Sequence, residues 1–465
     1  MRSTPAALFR EKARTAAADA PLHALLETGL DKYRAQREKS RGTYRDYPAA
    51  REAAADVKWD ALLRLDDHLE AFASRLEARG ARVHWAGTAA RAREVILEIL
   101  RERHVRSIVK SKAMTAEEIG LSEAIEKAGM EVVESDLGEF IVQLRREAPY
   151  HIVFPAMHLT RSEIGALFTR ELQAEPTESP EELTMIARRV LRRKYLEADA
   201  GITGANFAIA ETGMISITEN EGNARLGAAL PRTLITLVGI EKILPRLEDL
   251  ALFLPLLANA GTGQALACYN TLYSGPRQPG EPDGPDEHHV VLLDNGRTTL
   301  LADPEKRDAL RCIRCGACLN VCPVFRTVGG HAYGTTYSGP IGSVITPVLR
   351  GLGEWKHLSA ASSLCGACTA TCPVGIDLHH HLLRNRRDGV RAAGNRAERK
   401  AYAAFARVVR DPRLYRWSVR AARALQPLQR PLRRLGLDPT RPWTASRDLP
   451  RIAPRTFREW WRRRR

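Results

Sequence analysis

Seven of the eight cysteines in this 465-residue chain fall into two runs, Cys312-x2-Cys315-x2-Cys318-x3-Cys322-Pro323 and Cys365-x2-Cys368-x3-Cys372-Pro373. Three thiolates in one short loop can hold three corners of an iron–sulfur cubane, and the fourth Cys of such a run normally ligates the other cluster. The spacing therefore predicts a crossed assignment, with Cys312, Cys315, Cys318 and Cys372 on one cluster and Cys322, Cys365 and Cys368 on a second. Zinc ribbons also use Cys-x2-Cys pairs, but tetrahedral zinc takes two cysteines from each knuckle. It leaves no role for Cys318 or for the repeated Cys-Pro endings. A disulfide framework is disfavoured, because the N-terminus does not resemble a signal peptide and a chain this long needs no staples.

The second run is one cysteine short. A complete ferredoxin-type run would begin three residues before Cys365, where the chain has Ser362. Three readings follow: a three-iron cluster, a four-iron cluster with an oxygen ligand or water on one iron, or a four-iron cluster with a ligand from elsewhere. Ser362 is flanked by Ser359 and Ser363, so an ordinary loop or helix-cap hydroxyl is the alternative to ligation. The spare thiol, Cys268 in Ala267-Cys268-Tyr269, reads as a buried small hydrophobe.

The net charge of +16 suggests a nucleic-acid partner until it is located. Residues 384–465 carry 25 Lys and Arg against 6 Asp and Glu, so the tail alone is +19 and the remainder −3. Arg407, Arg410, Arg413, Arg416, Arg420 and Arg423 recur at helical intervals with Leu, Val, Tyr415 and Trp417 between them. That pattern suits a basic amphipathic helix meeting a membrane surface or an acidic partner, or a solvated Arg-rich face. The end, Glu459-Trp460-Trp461-Arg462-Arg463-Arg464-Arg465, adds interfacial aromatics. No recognition module accompanies the charge, so no specific nucleic acid is expected. No run approaches the eighteen or so apolar residues of a membrane span, which predicts a soluble protein in a reducing compartment.

The length suggests about three domains. Residues 1–60 read as a polar, helix-prone arm. From residue 61 helices alternate with short apolar strands. Leu62, Leu65, Leu69, Phe72 and Leu76 mark a helical stripe, and residues 88–104 a second helix. Strands are predicted at 81–85, 107–109, 131–133, 151–154, 234–238 and 290–294. Thr115-x-x-Glu118 and Thr160-x-x-Glu163 read as capping boxes, and Ser179-Pro180 as a helix start. This alternation argues an α/β domain with a mainly parallel sheet. Within it, residues 201–225 place two β-like segments around Glu211-Thr212-Gly213. Loops at strand ends carry ligands in such sheets, so Glu211 is a candidate base or gate and Arg225 a candidate partner for a substrate carboxylate. A glycine-rich turn is the structural alternative. Neither a Walker A loop nor a dinucleotide fingerprint is present. Residues 275–286 read as a loop. Some forty residues separate the cysteine runs, a long insert that suggests a helical ferredoxin-like unit. His379, His380 and His381 follow as cluster-tuning candidates or as an exposed helix start.

Residues 110–119, the Glu211-Thr212-Gly213 segment, the first cysteine run, the Tyr337-to-Pro340 connector and Leu364-Cys365-Gly366-Ala367-Cys368 together resemble the lactate-utilisation family of iron–sulfur proteins. The resemblance implies a domain related in fold to CoA-transferases and ribose-phosphate isomerases, then a two-cluster helical ferredoxin-like unit and a basic helical tail. The domains would be 1–60, 61–297, 298–385 and 386–465. It implies two [4Fe–4S] clusters on the seven cysteines and electron transfer during oxidation of L-lactate to pyruvate. Companion lactate-utilisation subunits and an unidentified electron acceptor are the implied partners, in the cytoplasm or peripheral at the inner face of the membrane. Competing functions are an iron–sulfur subunit acting on glycolate or another 2-hydroxy acid, and a CoA- or acyl-transferase with Glu211 as nucleophile and structural clusters.

Overall fold

The computed structural model describes residues 4–438, 440–444 and 447–464; Arg465 of the closing basic run lies outside them. Among the described residues ten strands form two sheets. In chain order they are β1 (Arg82–Ala86), β2 (Ser107–Lys110), β3 (Glu131–Glu134), β4 (Ala200–Gly204), β5 (Phe207–Ile209), β6 (Met214–Glu219), β7 (Thr233–Gly239), β8 (Ile243–Leu244), β9 (Tyr269–Tyr273) and β10 (Glu287–Leu293). Six are parallel throughout, in the order β1-β10-β7-β4-β2-β3. The central strands are buried on both faces, which is why residues 290–293 are an unbroken apolar run and residues 234–238 are interrupted only by Thr236, whose hydroxyl is hydrogen-bonded to Thr203 (3.1 Å). Ile108, Ile202, Ile235 and Val291 pack beneath Val95, Ile96, Ile99 and Leu100 of the helix Ala89–Glu102. The apolar stripe of that helix recurs at three- and four-residue intervals. The two β-like segments expected around Glu211-Thr212-Gly213 form as the hairpin β5/β6, turning at 210–213, and it belongs to a second sheet, β8-β5-β6-β9, whose strands β8 and β9 the sequence reading did not include.

Two expected elements are absent. Residues 151–154 form no strand, because His151 Nδ1 accepts the backbone N–H groups of Val153 (2.9 Å) and Phe154 (3.1 Å) and curls the segment into a turn. Thr115 and Glu118 make no capping box. Both lie within the helix Met114–Glu118, where Thr115 Oγ1 donates to Leu237 O (3.2 Å) and Glu118 takes Arg297 as partner. The Thr160 box and the Ser179 cap form.

The N-terminal helices pack into the core instead of standing off as an arm. The helix Ala20–Arg41 buries Leu26, Leu30, Tyr33, Arg37 and Ser40 on one face. Leu26, Ala54 and Leu62 share a hydrophobic cluster with Phe253, Phe325, Tyr333 and the thiols of Cys315, Cys318, Cys368 and Cys372. The cysteine region contributes short helices, Ala317–Asn320, Pro323–Val328, Gly339–Arg350 and Ala367–Thr371, ending in Leu378–Ala393. Residues 4–389 form one compact unit, and residues from Val390 onward a second. The second unit is built on the helices Arg396–Arg410 and Pro412–Leu425, which bury nothing. They expose Tyr402, Phe405, Val409 and Trp417 among their arginines. Among the described residues no helix is long and apolar enough to cross a membrane.

Candidate metal centre and adjoining cavity

Both cysteine loops share one backbone design. The residues on either side of Cys315 and of Cys365 are left-handed: Arg314 (φ 60°) and Gly316 (φ 75°) in the first loop, Leu364 (φ 55°) and Gly366 (φ 81°) in the second. This pair of reversals points successive cysteines inward. At Gly316 a side chain would also meet His151 and Val153.

The structure brings the thiols together in two groups. Cys312, Cys315, Cys318 and Cys372 lie close enough to perturb one another electrostatically, and so do Cys322, Cys365 and Cys368. Backbone N–H groups face every sulfur. Arg314 N donates to Cys312 Sγ and Ile376 N to Cys372 Sγ, both at 3.4 Å. Ala317 faces Cys315, Ile341 at the start of the helix Gly339–Arg350 faces Cys318, and Val324 and Phe325 face Cys322. Ala367 and Thr369 face Cys365 and Cys368. Such donors stabilise anionic sulfur. Burial nevertheless pushes the Cys315 thiol up to about 12 and that of Cys368 to about 11. These sulfurs therefore ionise readily only against bound metal, and none is in a disulfide. Iron–sulfur clusters fit this donor set.

In the second loop Leu364 N donates to Ser362 Oγ at 3.1 Å. The same i+2 contact is made to Cys312 Sγ in the first loop, so Ser362 occupies the local position of the missing cysteine. Cys268 is exposed, not buried, because its loop leads into β9 at an edge of the smaller sheet. His381 is buried, with Nε2 2.7 Å from Asp308 Oδ1, whereas His379 and His380 gather on Asp377 at the helix start.

The cluster loops are clamped by neighbours that the sequence reading did not identify. Arg37 donates to the Thr371 hydroxyl and to Thr371 O (2.8 Å), and Arg51 Nε to Cys372 O (2.8 Å). The Leu26, Leu30, Tyr33, Arg37 spacing was the available signal. A buried charge chain joins the first loop to the sheet. Arg314 Nη2 reaches Glu241 Oε1 (3.1 Å), Glu241 pairs with Arg297, Arg297 with Glu118 (2.8 Å), and the Tyr337 hydroxyl donates to Glu118 (2.7 Å). The arginines hold the Glu241 carboxyl at about 2 against the opposing effect of burial. Arg314 also lies over the Tyr337 ring, 4.7 Å from its centroid.

A cavity of about 340 Å³ opens beside this loop, lined by Arg314, Cys315 and Tyr337. Its other walls follow the carboxyl ends of parallel strands: Lys112 after β2, Asp136 after β3, Asn206 after β4 and Lys242 after β7. That is where open α/β sheets hold ligands. Burial pushes the Lys242 ammonium down to about 8. Desolvation and the nearby Asp136 push Glu221, on the cavity rim, up to about 7. Glu211 and Arg225 do not line the cavity. Glu211 is exposed and accepts Leu247 N (2.8 Å), while Arg225 is exposed over the Tyr269 ring.

Residues 69–293 match the LUD domain, 308–376 the 4Fe-4S dicluster domain, and 381–465 the C-terminal domain of lactate utilisation protein B. The two cysteine groups therefore belong to an iron–sulfur domain. Lactate utilization protein B of Bacillus velezensis is 44% identical over 434 residues, covering 92% of this chain and 90% of its own. The proteins of that name from Oceanobacillus iheyensis and Bacillus subtilis are each 44% identical, covering 90% and 88% of this chain and 88% and 86% of their own. A solved structure of a duf162 family protein from Deinococcus radiodurans aligns with 49% of this chain and 98% of its own at 17% identity, with a TM-score of 0.27. With three domain matches in register and relatives aligned along most of its length, the chain belongs to the lactate utilization protein B family.

Proposed function

We propose that this chain is the iron–sulfur electron-transfer subunit of a system that oxidises L-lactate to pyruvate. The observation that carries the reading is the grouping of seven thiols in two adjoining sets, each faced by backbone N–H donors. The relatives' shared name supplies lactate. Cys312, Cys315, Cys318 and Cys372 hold one [4Fe–4S] cluster, and Cys322, Cys365 and Cys368 hold the second with Ser362 Oγ at its fourth corner; the matching loop geometry supports the serine. Bound clusters supply one-electron acceptance and release. The protein's part is to bury the first group, to place Arg314 and the two lysines, Lys58 and Lys242, near Cys312 against its negative charge, and to leave the second group nearer solvent through exposed Cys365.

Converting lactate to pyruvate releases two electrons and two protons, so a two-electron carrier on a companion subunit completes the system; this chain has no flavin motif. The parallel sheet supports the kinship with CoA-transferases and isomerases as a fold, without their chemistry. The tail is the contact to an anionic membrane surface, supported by aromatic and arginine side chains exposed together on its helices. Sedimentation with anionic vesicles, lost at high salt, checks that part. The central test is anaerobic purification with iron and sulfide analysis, and EPR before and after L-lactate with the companion subunits present. Both clusters should become reduced. Zinc in place of iron, or clusters that lactate never reduces in the assembled system, would refute the reading.

A further inference from the structure

The cavity at the carboxyl ends of β2, β3, β4 and β7 has donors that no group among the described residues satisfies. Arg314 has only 8% of its side chain exposed, and among the described residues its Nε and Nη1 have no hydrogen-bond partner; only Nη2 is used, on Glu241. Lys242 is 7% exposed and, among the described residues, makes no hydrogen bond or ion pair. Buried cationic donors in this state call for an acceptor. Glu241 and Cys312 act on both, and beside them Arg297 shares the Glu241 carboxylate, so the cations outnumber that one carboxylate at this corner of the cavity beside the first cysteine loop. Elsewhere on the lining, Asp136, Glu219 and Glu221 interact with one another, and Glu221 also with Lys112. The cavity thus offers a cationic corner and a carboxyl-rich corner.

We infer that this cavity binds a small 2-hydroxy or 2-oxo carboxylate, its carboxylate held by Arg314 and Lys242 and its carbon-2 oxygen turned toward the wall of Asp136, Glu219 and Glu221. A carboxylate oxygen can accept one free N–H of Arg314 while the other oxygen accepts from the Lys242 ammonium, both bonds being charge-assisted. A phosphate dianion would bring a second negative charge toward three carboxyls, so the polarity favours a monoanion carrying a hydroxyl. The volume, about 340 Å³, exceeds that of a three-carbon acid and leaves room for a second reactant. Cys315 lines the same space, so a bound acid would sit beside the first cysteine group. The inference rests on the electron-transfer reading for the purpose of the site and deepens it by placing a substrate site in this subunit.

The test is equilibrium dialysis of the anaerobic, cluster-loaded full chain against radiolabelled L-lactate and pyruvate, with EPR recorded on the same samples. Saturable binding should weaken by about tenfold or more in Lys242→Met and be partly restored in Lys242→Arg, at unchanged iron and sulfide content. Inorganic phosphate should compete poorly. Absence of saturable binding to the loaded wild type overturns the inference, as does binding unchanged by Lys242→Met; an altered EPR signal alone would mean that the lysine serves the cluster only. Displacement by phosphate as effective as by a second carboxylate overturns the ligand class. Carboxylate binding with clusters that lactate never reduces would refute the electron-transfer reading and leave the cavity assignment standing.

Discussion

Arg314 and Leu364 hold the same left-handed backbone, and each sends its N–H to the side chain two residues earlier, a sulfur in one loop and an oxygen in the other. The loop geometry thus survives the exchange of sulfur for oxygen, while the chemistry of the fourth corner changes, since an alkoxide is a harder and weaker ligand for iron than a thiolate. Ser362→Ala should therefore lose about one iron per chain on mild oxidation and show the EPR signal of a three-iron cluster. Ser362→Cys should keep a complete four-iron cluster with altered hyperfine parameters by Mössbauer spectroscopy. Iron content and spectra unchanged in the alanine variant would remove the serine from the ligand set. Glu241 is the other residue on which much depends, because one buried carboxylate faces both Arg297 and Arg314. Glu241→Gln leaves two guanidiniums short of charge in the interior and should cost about 3–5 kcal/mol in denaturant unfolding. A loss near zero would show that the network is solvated.

At the scale of elements, the parallel strands were legible in the sequence because burial on both faces writes them as mostly apolar runs, as at 234–238 in β7 and 290–293 in β10. The cysteine loops were legible because metal ligation fixes spacing. What was not legible depended on partners distant in sequence. The segment 151–154 is apolar enough for a strand, but His151 Nε2 is engaged by Asn320 Oδ1 (2.9 Å), 169 residues away, and its other nitrogen closes a turn. Thr115 and Glu118 carry a cap signature overridden by Leu237 and Arg297. The helix Ala20–Arg41 looked polar because its buried stripe ends in Arg37 and Ser40, whose partners include Thr371 and Asn259. The segment 201–225 does line the cavity, through Gly204 to Asn206 and Ile217 to Glu221, but the two residues that stood out in it, Glu211 and Arg225, do not. The connector shows how tightly such long-range packing is drawn. Gly342, in the helix Gly339–Arg350, lies so close to the Tyr337 carbonyl that an added Cβ would overlap it. Gly342→Ala should therefore shift the Ile341 N–H that faces Cys318 and destabilise the fold by about 1–3 kcal/mol, with reduced iron incorporation on reconstitution. Normal iron content with an unchanged unfolding midpoint would contradict that packing.

Across residues 4–389, one hydrophobic cluster runs from Leu26 through Phe253 to the buried thiols, so cluster loops and N-terminal helices share a single core. His151 is a joint in that unit, carrying the turn that follows the Glu131-to-Leu144 region and holding the helix Ala317–Asn320 through Asn320. Burial, helped by Lys112, pushes its imidazole down to about 3, so the folded protein keeps it neutral where the unfolded chain would protonate it. The unfolded state therefore binds the extra proton between about pH 6.5 and pH 3, and the contribution of His151 to stability falls as pH drops through that window. At pH 5 the loss is about 2 kcal/mol for this one group. Burial gives His288 in β10 the same sign. Glu221, held up at about 7, works in the opposite sense, since the folded state takes up its proton before the unfolded chain does, and it flattens the profile of the whole protein. The difference between wild type and His151→Gln isolates the imidazole. Denaturant unfolding of the cluster-loaded proteins under argon should show the advantage of the wild type shrinking by about 2 kcal/mol from pH 7 to pH 5. An advantage that stays constant over that range would mean that His151 is already protonated, or solvated, in the folded protein.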